Sequence, residues 1–322
     1  MRQGLEIQTR WTYVFVTLLP LRNRKGLFRD MVTFKPYAYF RLLVVFAVCL
    51  AVSVLFGAGV SWAQGMKIGL QPPATDSAER IYDFHNMLLY IISGIVAFVL
   101  LLLLFVVVRF NAKANPVPSK TTHNVLLEIV WTIIPVVILI IIAVPSFKLL
   151  FKNETIPKPE MTLKVTGHQW YWDYEYPDQG DIAFSSYMIP SDKIDHSKGQ
   201  KRLLSTDNKV VLPVGVTVQV LVTASVNDVI HSWAVPAFGI KTDAVPGRMN
   251  HTWFRIERPG VFYGQCSELC GKDHSFMPIE VWAVEKPVFD EWAARSKEDA
   301  DKAQEWLQAE HSPADTSKGS SE

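Results

Sequence analysis

The sequence predicts a membrane protein in two parts, a two-helix transmembrane hairpin followed by an all-β Greek-key sandwich. Three observations carry this. Two apolar runs, residues 87–108 and about 125–147, are each long enough to cross a bilayer. From Met161 the texture changes to short segments that alternate apolar and polar residues between Gly/Pro turns, as strands of a sandwich do. One stretch, GQCSELCGKDHSFMP at 264–278, gathers thiols, an imidazole and a thioether at loop-like spacing. The 322 residues are 49% hydrophobic with net charge +1, a balance that argues against nucleic acid and demands no acidic partner.

Residues 1–41 are basic, 42–60 are apolar, and Ser61 and Ala63 fit the small residues before a signal-peptidase cut. Cleavage before Gln64 makes 1–63 a signal or targeting segment. The alternative is an uncleaved third membrane helix, and Met31 is an alternative start. Cleavage removes Cys49 and leaves Cys266 and Cys270 as the only cysteines. The second segment, 64–152, holds a polar connector and both helices. Asp76 and Glu79 have the spacing of an N-cap and its N3 carboxylate, which predicts a helix start there. About 22 apolar residues at 1.5 Å rise span the hydrocarbon core. Ser93 and Gly94 are small enough for close helix packing. The loop 109–123 carries Arg109, Lys113 and Lys120 and no acid, so the positive-inside rule makes it cytoplasmic and puts the C-terminal part outside. Pro135 is tolerable in a membrane helix. Glu128 lies just inside the second helix near the cytoplasmic face. It reads either as an interfacial carboxylate or as a functional intramembrane group.

Within 153–286, strands are expected at 163–166, at 216–223 after the turn Pro213-Val214-Gly215, in two runs over 251–264 broken by Arg258-Pro259-Gly260, and at 279–284. In 287–322, one helix is expected from Pro287 to about Gln308, followed by a polar, disordered tail from Ser312. No C-x-x-C-H word is present, so no haem c domain is fused.

The loop carries the chemistry. Cys266, Cys270, His274 and Met277, with His231 upstream in HSWAVP, form a soft donor set that suits copper better than zinc. Two cysteines four apart can instead form a disulfide. A blue mononuclear site needs one Cys, so the second is surplus to it, and two bridging thiolates can hold two coppers close together.

Spacing and surrounding words, including GHQWYWDYEY and HSWAVPAFGIKTDAVPGR, resemble the CuA loop of the cytochrome c oxidase subunit II family over roughly 76–284. The resemblance implies a cupredoxin-like sandwich and a dinuclear copper CuA centre. In it Cys266 and Cys270 bridge, His231 and His274 bind one copper each, Met277 gives a weak sulfur ligand and Glu268 a backbone carbonyl. It further implies that the Glu268 side chain touches a Mg site shared with subunit I, and that Trp170 receives the electron. By the same resemblance, Glu175, Asp178, Asp207 and Asp228 dock cytochrome c, while Ser185 stands where some relatives carry an acid. Glu128, in Glu128-Ile-Val-Trp131-Thr-Ile-Ile-Pro135, then lies at the mouth of the K proton channel of subunit I. His168 reads as structural and His251 as surface. The implied activity is electron acceptance from cytochrome c and delivery to haem in subunit I, where oxygen is reduced to water with proton pumping. Implied partners are subunits I and III, and the implied location is a bacterial inner membrane with the C-terminal domain in the periplasm. A copper-free quinol oxidase subunit lacks the ligand set. A tethered copper carrier does not need Glu128, Trp170 and the hairpin together. Nitrous oxide reductase, which also uses this loop, needs a large His-rich domain that is not in the chain.

Overall fold

The computed structural model describes residues 69–311; the expected signal segment with its cleavage site and Cys49, and the tail from Ser312, lie outside the described residues. Helix α1 is Asp76–Arg109, of 34 residues, and α2 is Val125–Glu154, of 30. At 1.5 Å per residue they are about 51 and 45 Å long, more than a hydrocarbon core of about 30 Å, so part of each projects into water. The most apolar window of each helix has none of its residues buried inside the protein, as lipid-facing helices require.

Two expectations about these helices are corrected. The N-cap of α1 is Thr75, not Asp76: its hydroxyl accepts from Ala78 N (3.0 Å) and donates to Phe238 O (2.8 Å). A hydroxyl can do both at once and a carboxylate cannot. Asp76 is drawn instead to Arg80 and to Lys152 of α2. Helix α2 continues to Glu154 rather than Phe147, because KLLFKNE is helix-forming sequence that has left the lipid.

The remaining chain is a two-sheet sandwich. One sheet holds β1 (Met161–His168), β2 (Tyr171–Tyr176), β3 (Ile182–Ser186), β5 (Thr217–Ala224) and β8 (Asn250–Arg255) in the order β3-β2-β1-β5-β8. The other holds β4 (Val210–Pro213), β6 (His231–Val235), β7 (Ile240–Ala244), β9 (Gly260–Cys266) and β10 (Pro278–Val284) in the order β4-β10-β9-β6-β7. The β1–β5 and β4–β10 pairs are parallel and the other pairs antiparallel. Strand β1 alternates as predicted, with Met161, Leu163 and Val165 inward. Strands β4, β6 and β10 are buried throughout. Trp172, Tyr174, Tyr176, Trp233 and Phe254 fill the space between the sheets. The Tyr176 hydroxyl donates to Val211 O (3.2 Å) and accepts from Val211 N (3.1 Å), tying one sheet to the other.

The single C-terminal helix expected is two, α3 (Lys286–Ser296) and α4 (Ala300–Glu310). The break falls where Asp299 caps α4 by accepting from Lys302 N at 3.1 Å. Trp292 of α3 and Leu307 of α4 are fully buried, and Gln304 exchanges two hydrogen bonds with the Lys209 backbone. At its other end the sandwich is rooted on the membrane helices. Ala74 N donates to Ala237 O (2.8 Å), Glu257 N to Ala74 O (2.9 Å) and Trp253 Nε1 to Asn153 O (2.9 Å).

Candidate metal centre

Three segments meet at one end of the sandwich. His231 opens β6, Cys266 ends β9, and the loop between β9 and β10 carries the rest. Ladder pairing of Trp233 with Cys266, extended by Ser267 N donating to Ser232 O (3.0 Å), brings Cys266 beside His231. His231, Cys266, Cys270 and Met277 are buried, and the two thiols are free. Their sulfurs stand 3.8 Å apart. That is too far for a disulfide bond of about 2.05 Å. It is less than twice a metal–thiolate bond of about 2.3 Å, so one ion can touch both sulfurs. His231 Nδ1 is 3.9 Å from Cys266 Sγ, His274 Nδ1 is 3.4 Å from Cys270 Sγ, and Met277 Sδ is 3.6 Å from Cys270 Sγ. The Glu268 carbonyl lies 3.4 Å from Cys266 Sγ, while the Glu268 side chain is exposed. The donor atoms of His231, Cys266 and Cys270 all fall within 4.8 Å of one another. Two sulfurs, two imidazole nitrogens and a thioether converging, with all of these residues but the half-buried His274 buried, fit copper.

Burial, and then the neighbouring Cys266, push the Cys270 thiol up to about 12, so metal binding there must displace a proton. Burial holds His231 below the usual histidine value against the opposing pull of Asp228, which keeps the ring neutral and its nitrogen available. Met277 is fixed through its own carbonyl, which accepts from Trp172 Nε1 at 3.2 Å.

Trp170 sits in the turn between β1 and β2, packed against the metal loop. Its Nε1 donates to Cys270 O at 3.0 Å, and Gln169 Nε2 approaches the same oxygen at 3.3 Å. Gly271, at φ +120°, lets the indole lie flat on the loop, since a Cβ there would be 3.0 Å from its Cζ2. Sequence reasoning missed Gln169, Gly271 and Lys272, whose Nζ stands 5.4 Å over the indole. The signal available for the last two was their place directly after Cys270.

The four predicted docking carboxylates are all engaged. Glu175 accepts from Lys164 (2.6 Å), Asp178 from Thr162 N (2.6 Å), and Asp207 from Tyr187 N (2.8 Å) and Asn208 N (2.7 Å). Asp178 and Asp207 remain exposed, and the Glu175 side chain is 43% exposed. The Asp228 side chain is only 12% exposed. His168 Nε2 stands 2.8 Å from an Asp173 carboxylate oxygen and its ring stacks on Tyr171, consistent with a structural role; His251 is on the surface as expected. Glu128 lies in the first turn of α2, about 39 Å along the helix from its sandwich end.

Residues 161–284 match the family described as cytochrome c oxidase subunit II, periplasmic domain, and residues 63–149 match the transmembrane domain of the same subunit. The chain is 55% identical over 228 residues to a probable cytochrome c oxidase subunit 2 of Rickettsia bellii, covering 71% of this chain and 83% of that one. The chain belongs to the cytochrome c oxidase subunit II family. It is also 47% identical over 245 residues to the cytochrome c oxidase subunit 2 of Cereibacter sphaeroides, covering 71% and 80% of the two chains. A crystal structure of the periplasmic domain of subunit II from Bradyrhizobium japonicum shares 51% identity at a TM-score of 0.41, covering 45% of this chain and 98% of that one. As a subunit II, the chain is the part of a cytochrome c oxidase through which electrons enter. It is a membrane protein with two candidate spans and a periplasmic domain, and its Cys/Cys/His/Met cluster is consistent with CuA copper.

Proposed function

We propose that His231, Cys266, Cys270, His274, Met277 and the Glu268 carbonyl hold a dinuclear copper centre that takes electrons from cytochrome c on the periplasmic face of a bacterial inner membrane. The observation that carries this is the pair of free, buried thiols 3.8 Å apart, flanked by two imidazoles and a thioether. Bound copper supplies a one-electron carrier. The residues would do the rest: Cys266 and Cys270 would release their thiol protons to serve as ligands, His231 and His274 would each offer a ring nitrogen, and the burial of His231, Cys266, Cys270 and Met277 would limit how far these donors move.

Trp170 receives the electron at the surface. From its indole, one hydrogen bond to Cys270 O and then the covalent frame of Cys270 lead to the Cys270 sulfur, which would be a copper ligand. Glu175, Asp178 and Asp207 are offered as negative charges that steer a basic cytochrome c, although Asp178 follows the end of β2 away from the Trp170 turn. Delivery to haem in subunit I, with subunit III also present, follows from the family reading. The exposed Glu268 carboxylate is offered to a Mg site shared with subunit I, because hard cations prefer carboxylates. Glu128, at the opposite end of α2, serves proton entry into subunit I. Residues 1–63 are removed or act as targeting sequence, 64–152 anchor, 153–286 carry the metal, and 287–322 close the sandwich. Copper content and electron paramagnetic resonance of the full chain test the central point: two coppers sharing one unpaired electron are expected, and a single localised copper would refute it.

A further inference from the structure

Asp228 was expected at a docking rim, yet it is turned inward. Its Oδ1 lies 3.3 Å from His231 Nε2 and accepts from Val229 N at 2.7 Å; its Oδ2 accepts from Gln169 N at 3.1 Å. A carboxylate that meets three donors and keeps 12% of its side chain exposed has little left for a partner. A steering charge gains nothing from such burial.

The His231 ring explains the arrangement. Its Nδ1 faces the Cys266 sulfur, so the proton of the neutral ring must sit on Nε2 if Nδ1 is to bind metal. Packing confines the plane of the ring. Trp172 meets it edge-on at 5.9 Å, and a Cβ on Gly167 would come within 2.9 Å of its Cδ2. Packing of carbon against carbon does not distinguish the ring from its flipped form, in which Nδ1 and Cδ2 trade places. A carboxylate at Nε2 does distinguish them. The second oxygen of the same carboxylate holds the amide of Gln169, the residue before Trp170. The metal ligand and the turn that presents the indole are thus pinned to one group. Trp170 is held from the other side by Cys270 O.

We propose that Asp228 is a positioning residue: it fixes the Nε2–H tautomer and the orientation of His231 for copper, and locks the Trp170 turn to that ligand. This rests on the copper reading above, and the test separates the two. Full-length wild type, Asp228→Asn and Asp228→Ala are purified in detergent, loaded with copper and challenged with a competing chelator while the hyperfine pattern is recorded. If wild type shows no delocalised copper signal, the copper reading fails rather than the role of Asp228. Given that signal, Asp228→Ala should hold copper about 10–100-fold more weakly against the chelator, the usual consequence of removing a group that orients a metal-bound histidine. Asp228→Asn keeps one acceptor oxygen and the side-chain shape. It should fall between the two, with an altered hyperfine pattern. In the assembled oxidase, Asp228→Asn should keep the wild-type salt dependence of KM for cytochrome c, because no docking charge is lost. Should Asp228→Ala fail to fold, Asp228→Asn decides alone. Wild-type copper loss and an unchanged spectrum in Asp228→Asn overturn the proposal, and a flattened salt dependence beside them makes Asp228 a docking charge.

Discussion

Gly271→Ala probes the contact between the metal loop and Trp170, the proposed point of electron entry. The new Cβ would lie 3.0 Å from Trp170 Cζ2 and 3.4 Å from Nε1. Carbon atoms rest about 3.5–4.0 Å apart, so the indole must recede by roughly 0.5 Å. That takes the bond from Nε1 to Cys270 O, now 3.0 Å, to the edge of hydrogen bonding and removes about 1 kcal/mol. Alanine at φ +120° adds a backbone strain of about 1–3 kcal/mol. The two parts can be separated. In a Trp170→Ala background the clash is gone and only the strain remains, so the Gly271→Ala cost should fall by ~1 kcal/mol. Thermal loss of the copper absorption gives the stability of all four chains in the cycle. Stopped-flow reduction by cytochrome c in assembled oxidase gives the rate, which should drop in Gly271→Ala with KM unchanged. Trp170→Gln should cut the same rate by orders of magnitude. Additive stabilities, or a wild-type rate in Trp170→Gln, would show that the indole is packing and not part of the route.

Glu280 on β10 is 4% exposed and accepts from Thr206 N and Trp282 Nε1. Burial raises its pKa, so the folded chain holds this proton more tightly than the unfolded chain does. Its stabilising contribution is therefore whole below an unfolded value of about 4.3 and is lost as pH rises through the folded value. The Tm of wild type relative to Glu280→Gln should fall with rising pH over that window; a flat or rising difference contradicts the assignment. Glu128→Ala should slow oxidase turnover while copper reduction by cytochrome c stays intact, and normal turnover would return Glu128 to an interfacial role. Glu268→Gln should lower bound magnesium per complex without loss of copper, and unchanged magnesium would remove Glu268 from that site.

Much of this was legible because it is local. The apolar runs of α1 and α2, the alternation of β1 and the Cys/His/Met word each declare themselves within a short window. Strands β4 and β6 do not, because VVLP and HSWAV are buried on both faces and carry no period of two. The α1 cap was misread because Asp76 answers to Lys152, on another helix, and Thr75 to Phe238, far along the chain. The docking role of Asp228 is what the family resemblance implies, whereas its contacts with His231 and with the amide of Gln169, on another turn, are visible only in the fold. Residues that work through distant hydrogen bonds leave no spacing signal.

The central claim is a two-copper, two-thiolate centre. Copper-loaded full-length chain, assayed for metal and examined by electron paramagnetic resonance, tests it most directly. Two coppers per chain and a seven-line hyperfine pattern, as an electron shared by two equivalent copper nuclei requires, are the predicted result. One copper with four lines, or a Cys266–Cys270 disulfide in the copper-loaded protein, would contradict it.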